Sequence, residues 1–284
     1  MSFLLSFVST IIGSVSTILW KKAINMSTIS AVGFIFLGNI SSLLFALVLY
    51  FGTNMKSIFD LNLLIFIVIA LGIIIQLIYS PIYQQLYKEN KISEMIPFSN
   101  LNKIFTIIIA FIFFQQGNIK SFIIGIITLI VIIAFSIDFE NFKLPKKLHY
   151  LIFVEVGISI KIILVGYALL KINALELFVY TNFISVVMNG ALVMKGTLKK
   201  DLEGMNLKLF YYRSLPALLG GINVLIGNYL IQSLGLFFSN LLSFMGIAFT
   251  IILSFIFFGD KPSKKNIIQS FIVAILVGIG FYFK

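Results

Sequence analysis

Long apolar runs separated by short charged connections constrain this chain more than any other feature of its sequence. Of the 284 residues, 60% are hydrophobic and only 11% are charged, whereas soluble domains carry about a quarter charged residues. In the core of a bilayer the backbone must satisfy its own hydrogen bonds, so runs of about 20 apolar residues form spanning helices. The runs do not alternate in polarity as the strands of a membrane β-barrel do. The sequence therefore predicts an all-α integral membrane protein.

Ten of these runs have the length of a transmembrane helix. They cover roughly 2–20, 29–51, 62–86, 94–114, 119–137, 149–170, 174–194, 209–233, 236–258 and 266–283. The longest polar connections, 138–147 and 195–208, are too short to form a soluble domain. We therefore expect a multi-pass protein of the plasma membrane whose function lies among its helices.

The basic charge of the chain fits a membrane protein. The formal net charge is +11, which we assign to membrane topology and to anionic headgroups rather than to nucleic acid. With ten spans, the connections on one side hold fifteen Lys and Arg residues and the other side holds four. By the positive-inside rule, this asymmetry predicts that both termini lie outside.

The two halves of the chain contain similar segments. FFQQGNIKSFIIGIITLIVIIAF, from Phe113, resembles FFGDKPSKKNIIQSFIVAILVGIGF, from Phe257, and Gly72 lies 148 residues before Gly220. In both halves a helix ends in Phe-Phe, a short polar turn follows, and a glycine-containing span closes the unit. The similarity predicts an internal repeat.

The repeat divides the chain into three parts. We predict a first five-helix repeat at 1–137, a connecting loop at 138–148 and a second five-helix repeat at 149–284. Because five is odd, the second copy is inverted relative to the first. Inverted repeats place a substrate near the bilayer midplane, at their shared interface, and alternate its access between the two sides.

This organisation resembles the drug/metabolite transporter superfamily, in particular its EamA-type branch. The resemblance rests on five plus five spans, on Pro97 early in the fourth span, and on the turn after that span. The family's Gly-Glu at this turn is Gln115-Gln116-Gly117 in the first half and Gly259-Asp260 in the second. The resemblance implies secondary transport. Family members usually keep both termini in the cytoplasm, which conflicts with the charge asymmetry.

Three ionisable residues lie well inside the predicted spans: Lys103, Glu155 and Lys161. Each costs about 2.5–3.5 kcal/mol to insert, so such groups normally face a cavity or a partner. One hypothesis is that Lys103 and Glu155 form a pair that only fixes helix packing. The other is that the two lysines face a central cavity and bind an anionic group. Glu155 and Lys161 are about 240° apart on their helix and do not share a face.

Amide and aromatic residues in the spans complete the candidate site. Buried amides must find hydrogen-bond partners, and polar stripes that converge on one axis would outline a pathway. Beside the three charged residues, the candidates for substrate binding are Trp20, Gln76, Tyr79, Asn100, Asn182 and Asn223.

The sequence favours transport over catalysis. It has no cysteine, a single histidine and no Walker A motif, so we expect no enzyme activity, no metal, no cofactor and no ATP hydrolysis. We predict a secondary transporter that moves a small polar metabolite, anionic or zwitterionic, by alternating access.

Three alternatives stay open. They are an exporter of organic cations or drugs, for which Glu155 would be the binding carboxylate, a flippase for a lipid-linked carrier, and a receptor or scaffold without transport. The expected partners are the small-molecule substrate and the lipid bilayer. The sequence also leaves open whether the chain forms a homodimer.

Overall fold

The computed structural model of the protein describes residues 2–27, 29–53, 61–90, 101–136, 147–196, 207–246, 249, 253, 256 and 264–283. Within these ranges the chain is all-α. The helices are α1 (Ser2–Met26), α2 (Ala31–Gly52), α3 (Leu63–Glu89), α4 (Leu101–Phe114), α5 (Ile119–Ser136), α6 (Leu148–Leu169), α7 (Ala174–Gly196), α8 (Leu207–Ser243) and α9 (Lys264–Tyr282).

The helices have the length and surface of membrane spans. In the described part of the chain, six helices are long and apolar enough to cross a bilayer, and three further apolar helices are shorter. Large apolar side chains also cover the outside of the bundle, with Phe51, Phe113 and Phe271 all at least 70% exposed. Because a soluble monomer does not expose so much apolar surface, this is a multi-pass membrane protein.

Apart from residues at their ends, the predicted apolar runs coincide with helices in the described residues, with one exception. The predicted ninth run, 236–258, is interrupted where α8 ends at Ser243 and a turn follows at Phe244 and Met245. The eighth and ninth runs meet in α8, which is divided at Gly235, one residue before the predicted start of the ninth run. Pro97, which supported the family resemblance, lies outside the described residues. The predicted turn at 115–118 separates α4 from α5, and Gln115 and Gly117 have positive φ there.

Helices of the first half pack mainly on helices of the second half. The largest interfaces join α1 to α8, α3 to α6, α2 to α7 and α5 to α9. Helix α4 lies across the centre, against α6 and α8. As a result α1, α3, α4, α6 and α8 surround a common central region.

Hydroxyl and amide groups connect these helix pairs, as is common where water is absent. Ser16 Oγ donates to the carbonyl of Pro216 at 2.8 Å, which joins α1 to α8. Ser41 Oγ donates to Ser214 Oγ at 2.9 Å between α2 and α8. Gln269 Nε2 donates to the carbonyl of Ile132 at 2.9 Å between α9 and α5.

The break in α8 depends on a glycine and on a glutamine from another element. Gly235 has φ 83° and ψ 166°, a conformation open almost only to glycine. Gln116 lies against this turn, where its Oε1 accepts a hydrogen bond from the backbone N–H of Phe237 at 3.2 Å. A Cβ at Gly235 would lie only 2.8 Å from the same Oε1 atom. The hydrogen bond between Gln116 and Phe237 therefore requires glycine at position 235, both for its backbone conformation and for its lack of a side chain.

Replacing Gly235 with alanine tests this break. Gly235→Ala should destabilise the protein by about 1–3 kcal/mol, because it strains the backbone and displaces Gln116. Thermal unfolding in detergent would measure the change. Gly278→Ala in α9 is the control, since nothing lies within 4 Å of its added Cβ, and it should stabilise the helix by about 0.5–1 kcal/mol. Equal effects of the two substitutions would contradict this description of the turn.

Candidate functional site

A cavity of about 370 Å³ lies where the five central helices meet. Its polar walls come from α1, α3, α4, α6 and both parts of α8. The polar and charged lining residues are Ser6, Ser9, Thr10, Tyr79, Asn102, Lys103, Lys161, Asn223, Asn228, Ser239, Asn240 and Ser243. Four of the predicted candidates, Tyr79, Lys103, Lys161 and Asn223, therefore line one cavity.

Lys161 enters the cavity from α6 and has a neutral partner. Its Nζ donates to Gln76 Oε1 of α3 at 2.5 Å. The structure thus brings together two of the predicted candidates. No acidic group neutralises this lysine, since among the described residues the only ion pair joins Lys147 to Glu89.

Lys103 enters the cavity from α4 and contacts the end of α8. Its Nζ donates to the carbonyl oxygen of Ser243 at 2.7 Å and lies 5.3 Å from the ring centre of Phe244. The last carbonyls of a helix carry a partial negative charge and have no partner within the helix. Lys103 therefore stabilises a helix terminus as well as lining the cavity.

The other terminal carbonyls of α8 are satisfied locally. Asn240 O accepts from Ser243 Oγ at 2.6 Å, Leu241 O from the Phe244 N–H, and Leu242 O from the Met245 N–H. Ser243 O is the terminal carbonyl left for Lys103. The helix thus ends beside the cavity with each of its last four carbonyls hydrogen-bonded.

Glu155 lies on α6 but faces α4 rather than the Lys161 side of the cavity. Its side chain is fully buried, and Asn102 Nδ2 donates to its Oε2 at 2.6 Å. Its second oxygen, Oε1, has no hydrogen-bond partner among the described residues. As the spacing predicts, Glu155 and Lys161 point in different directions, and their side chains hydrogen-bond to different helices.

Lys103 and Glu155 do not form the direct pair that one sequence hypothesis required. In the described part of the chain their charged groups are not in ion-pair contact, since Lys147 and Glu89 make the only such pair. Lys103 bonds to Ser243 O instead, and Asn102, the residue before it, takes the position beside Glu155. The two charged groups are close enough to interact electrostatically.

Two glycines bring the cavity helices into close contact. The ring of Tyr79 lies against Gly157, where an added Cβ would be 2.9 Å from its Cδ1 atom. The amide of Asn223 lies in the same way against Gly13, and Ser9 Oγ donates to its Oδ1 at 2.6 Å. These contacts fix Tyr79 and Asn223 on the cavity wall.

Four of the predicted candidates that the structure describes are not among the lining residues: Trp20, Gln76, Glu155 and Asn182. Gln76 and Glu155 contact lining residues instead, through Lys161 and Asn102. Trp20 packs against aromatic rings, at 5.7 Å from Tyr83 and 5.3 Å from Tyr87. Asn182 donates to the carbonyl of Phe178 in its own helix at 2.8 Å, and α7 adds no residue to the lining. Asn100 lies outside the described residues.

Sequence reasoning missed several polar residues of the site. The most consequential is Asn102, because it both lines the cavity and holds Glu155. Its position beside Lys103 was the available signal, but helical spacing pointed to Asn100. Asn228, Ser239 and Asn240 also line the cavity.

Comparison with known proteins gives information on the fold of this chain but not on its family. No family model and no curated protein matches this sequence. A solved structure described only as "Crystal structure of protein" matches 98% of this chain and 94% of its own, with a TM-score of 0.65 and 11% sequence identity. The two proteins therefore share a fold over nearly their whole length.

Removing the amide of Asn102 tests its contact with Glu155. Asn102→Leu should destabilise the protein by about 1–3 kcal/mol, because a buried carboxyl group loses its side-chain donor. Thermal unfolding of the double variant Asn102→Leu/Glu155→Leu should recover most of this loss, since neither partner is then left unsatisfied.

Asn182→Leu is the matched control for this experiment. It removes an amide that bonds only to its own helix, so it strands no partner and should cost less than about 1 kcal/mol. A double variant no more stable than Asn102→Leu would show that the hydrogen bond from Asn102 does not stabilise the buried Glu155 side chain.

Proposed function

We propose that the protein is a secondary transporter that moves a small anionic metabolite through this cavity by alternating access. The observation that carries the proposal is the charge of the lining. Its charged residues are Lys103 and Lys161, and none of the described residues that line it is acidic. The described lining thus holds two positive charges together with Asn, Ser and Thr side chains and Tyr79.

The partners of the two lysines favour an anionic substrate. Both lysines donate to uncharged oxygens, which stabilise an ammonium group far less than a carboxylate would. An anionic group between them would form charge-assisted hydrogen bonds with both. A cation would meet repulsion from both, which argues against an exporter of organic cations.

We further propose that the chain has ten spans in two inverted five-helix repeats. The helix pairing supports this, because the α1–α8 contact has a counterpart in α6–α3. In the first pair Asn223 packs against Gly13, and in the second Tyr79 packs against Gly157.

The spacing of these contacts supports the same proposal. Gly157 follows Gly13 by 144 residues, and Asn223 follows Tyr79 by the same 144 residues. If the two contacts are equivalent positions of a repeated unit, both of their residues should be offset by the same number of positions, as they are. This register differs by four residues, about one helical turn, from the 148-residue offset between Gly72 and Gly220.

The EamA-type resemblance and the absence of an enzyme activity belong to the same proposal. Inverted repeats with a site at their interface are typical of secondary transporters, which use gradients rather than ATP. A cavity between helices of both halves is the feature that a packed receptor or scaffold would lack.

Transport by purified protein in liposomes tests the proposal. Exchange of radiolabelled malate, aspartate and 3-phosphoglycerate covers carboxylate, zwitterionic and phosphorylated substrates. Lys161→Met should lower the apparent affinity for a transported anion by about 10- to 100-fold, the effect of one charge-assisted hydrogen bond. Lys171→Met, which changes an exposed lysine at the end of α6, should leave transport unchanged.

Choline and tetraphenylphosphonium provide the opposing test. Transport of these cations, with none of the three anions exchanged, would refute the proposal in favour of a cation exporter. Unchanged anion transport by Lys161→Met would refute the assignment of the site. Lys103→Met is a less specific test, because it also removes the partner of the α8 terminus.

A further inference from the structure

Glu155 is a buried acid that transport of an anion does not itself require. It is fully buried, one carboxyl oxygen bonds to Asn102, and the other has no hydrogen-bond partner in the described part of the chain. A charged carboxylate in such a position costs several kcal/mol, whereas the neutral acid lacks only one hydrogen bond. A group that serves only packing would be better replaced by glutamine or an apolar residue.

In the part of the chain that the structure describes, the surroundings of Glu155 contain one cation. The phenols of Tyr79, Tyr83 and Tyr87 on α3 and the ammonium group of Lys103 on α4 are close enough to interact electrostatically with Glu155. Lys161 lies on the same helix but extends towards Gln76. Since the phenols are neutral near neutral pH, the charge that opposes Glu155 among the described residues comes from Lys103.

Asn102 connects this buried acid to the cavity. The same side chain lines the cavity wall and donates to Glu155 Oε2 at 2.6 Å. The residue after it is Lys103, which also lines the cavity. A ligand that contacts Asn102 or Lys103 therefore changes the hydrogen bonding or the electric field at Glu155.

We propose that Glu155 is a proton-binding site that couples anion transport to proton movement in the same direction. This inference rests on the proposed anion transport and names its coupling ion. The proton binds at the free oxygen, Oε1, while Asn102 keeps its bond to Oε2. Glu155 is not a ligand for the substrate, because Asn102 stands between it and the cavity.

The sign of the coupling follows from the charges. With Glu155 ionised, Lys103, Lys161 and Glu155 together carry one net positive charge, and with Glu155 protonated they carry two. Proton binding therefore makes the cavity more attractive to an anion. By thermodynamic linkage an anion in the cavity strengthens proton binding by the same factor. The proton and the anion thus bind together and cross together.

A pH gradient across liposomes tests the coupling. With the membrane potential clamped by potassium and valinomycin, an alkaline interior should drive accumulation of malate, aspartate or 3-phosphoglycerate. Each proton carried permits at most about tenfold accumulation per unit of pH difference. Glu155→Gln should abolish this accumulation, giving equal concentrations inside and outside, but should retain exchange of the anion without a gradient.

Glu176→Gln is the matched control for the loss of a carboxyl group. Glu176 caps the start of α7, where its Oε2 accepts from the Asn173 N–H at 3.1 Å, away from the cavity. This variant should accumulate the anion as the wild type does. Gradient-driven accumulation that persists in Glu155→Gln would overturn the inference while leaving anion transport intact.

Infrared spectroscopy of the wild type supplies a measurement that depends on neither folding of a variant nor transport. The C=O band of a protonated carboxyl group should appear on acidification, shift when the anion is added, and be absent from Glu155→Gln. A band that does not respond to pH or to the anion would overturn the inference. If none of the three anions is exchanged, the proposed function fails and the coupling fails with it, even where the band titrates.

Discussion

The central structure depends on how a bundle of apolar helices accommodates Lys103 and Lys161, neither of which forms an ion pair with a described acidic residue. Each lysine is costly to insert among apolar helices, and the protein offsets this cost with oriented oxygen atoms. Lys103 bonds to the last carbonyl of a helix, and Lys161 bonds to a glutamine side chain. Because neither bond neutralises charge, the cavity between the two lysines remains positively charged.

The break in α8 makes one of these bonds available. Gly235 separates a long helix from a short segment that ends at Ser243, beside the cavity. Continuing the long helix straight through Gly235 would place that terminal carbonyl elsewhere, and Lys103 would lose its partner. Gln116, from the turn between α4 and α5, holds the break in position. The turn between α4 and α5 therefore helps to keep the hydrogen-bond partner of Lys103 beside the cavity.

Much of the fold follows from the sequence because the bilayer leaves few alternatives. An apolar run of about 20 residues must be helical to satisfy its backbone, and the predicted runs coincide with helices in the described residues except within the ninth, where α8 ends at Ser243. The same cost argument identified Lys103 and Lys161, since a lysine inside an apolar run needs a special environment. Both residues line the cavity.

The sequence of a helix does not show which other helices pack against it. Asn100 and Asn102 are both within one turn of Lys103, and only the position of α6 shows that Asn102 faces Glu155. The amide of Asn182 could bind a substrate, but it hydrogen-bonds to its own helix. Trp20 similarly belongs to an aromatic cluster. Assigning these residues required knowing which helix packs on which.

The most direct measurement of the central claim is the electric potential inside the cavity. The chain has no cysteine, so Gly227→Cys introduces a single thiol on the cavity wall, where an added Cβ meets nothing within 4 Å. Small anionic and cationic methanethiosulfonate reagents then compete for that thiol. A positively charged, water-filled cavity predicts that the anionic reagent reacts faster, and that Lys161→Met reduces its advantage. Faster reaction of the cationic reagent, or no reaction with either, would contradict an anion pathway through this site.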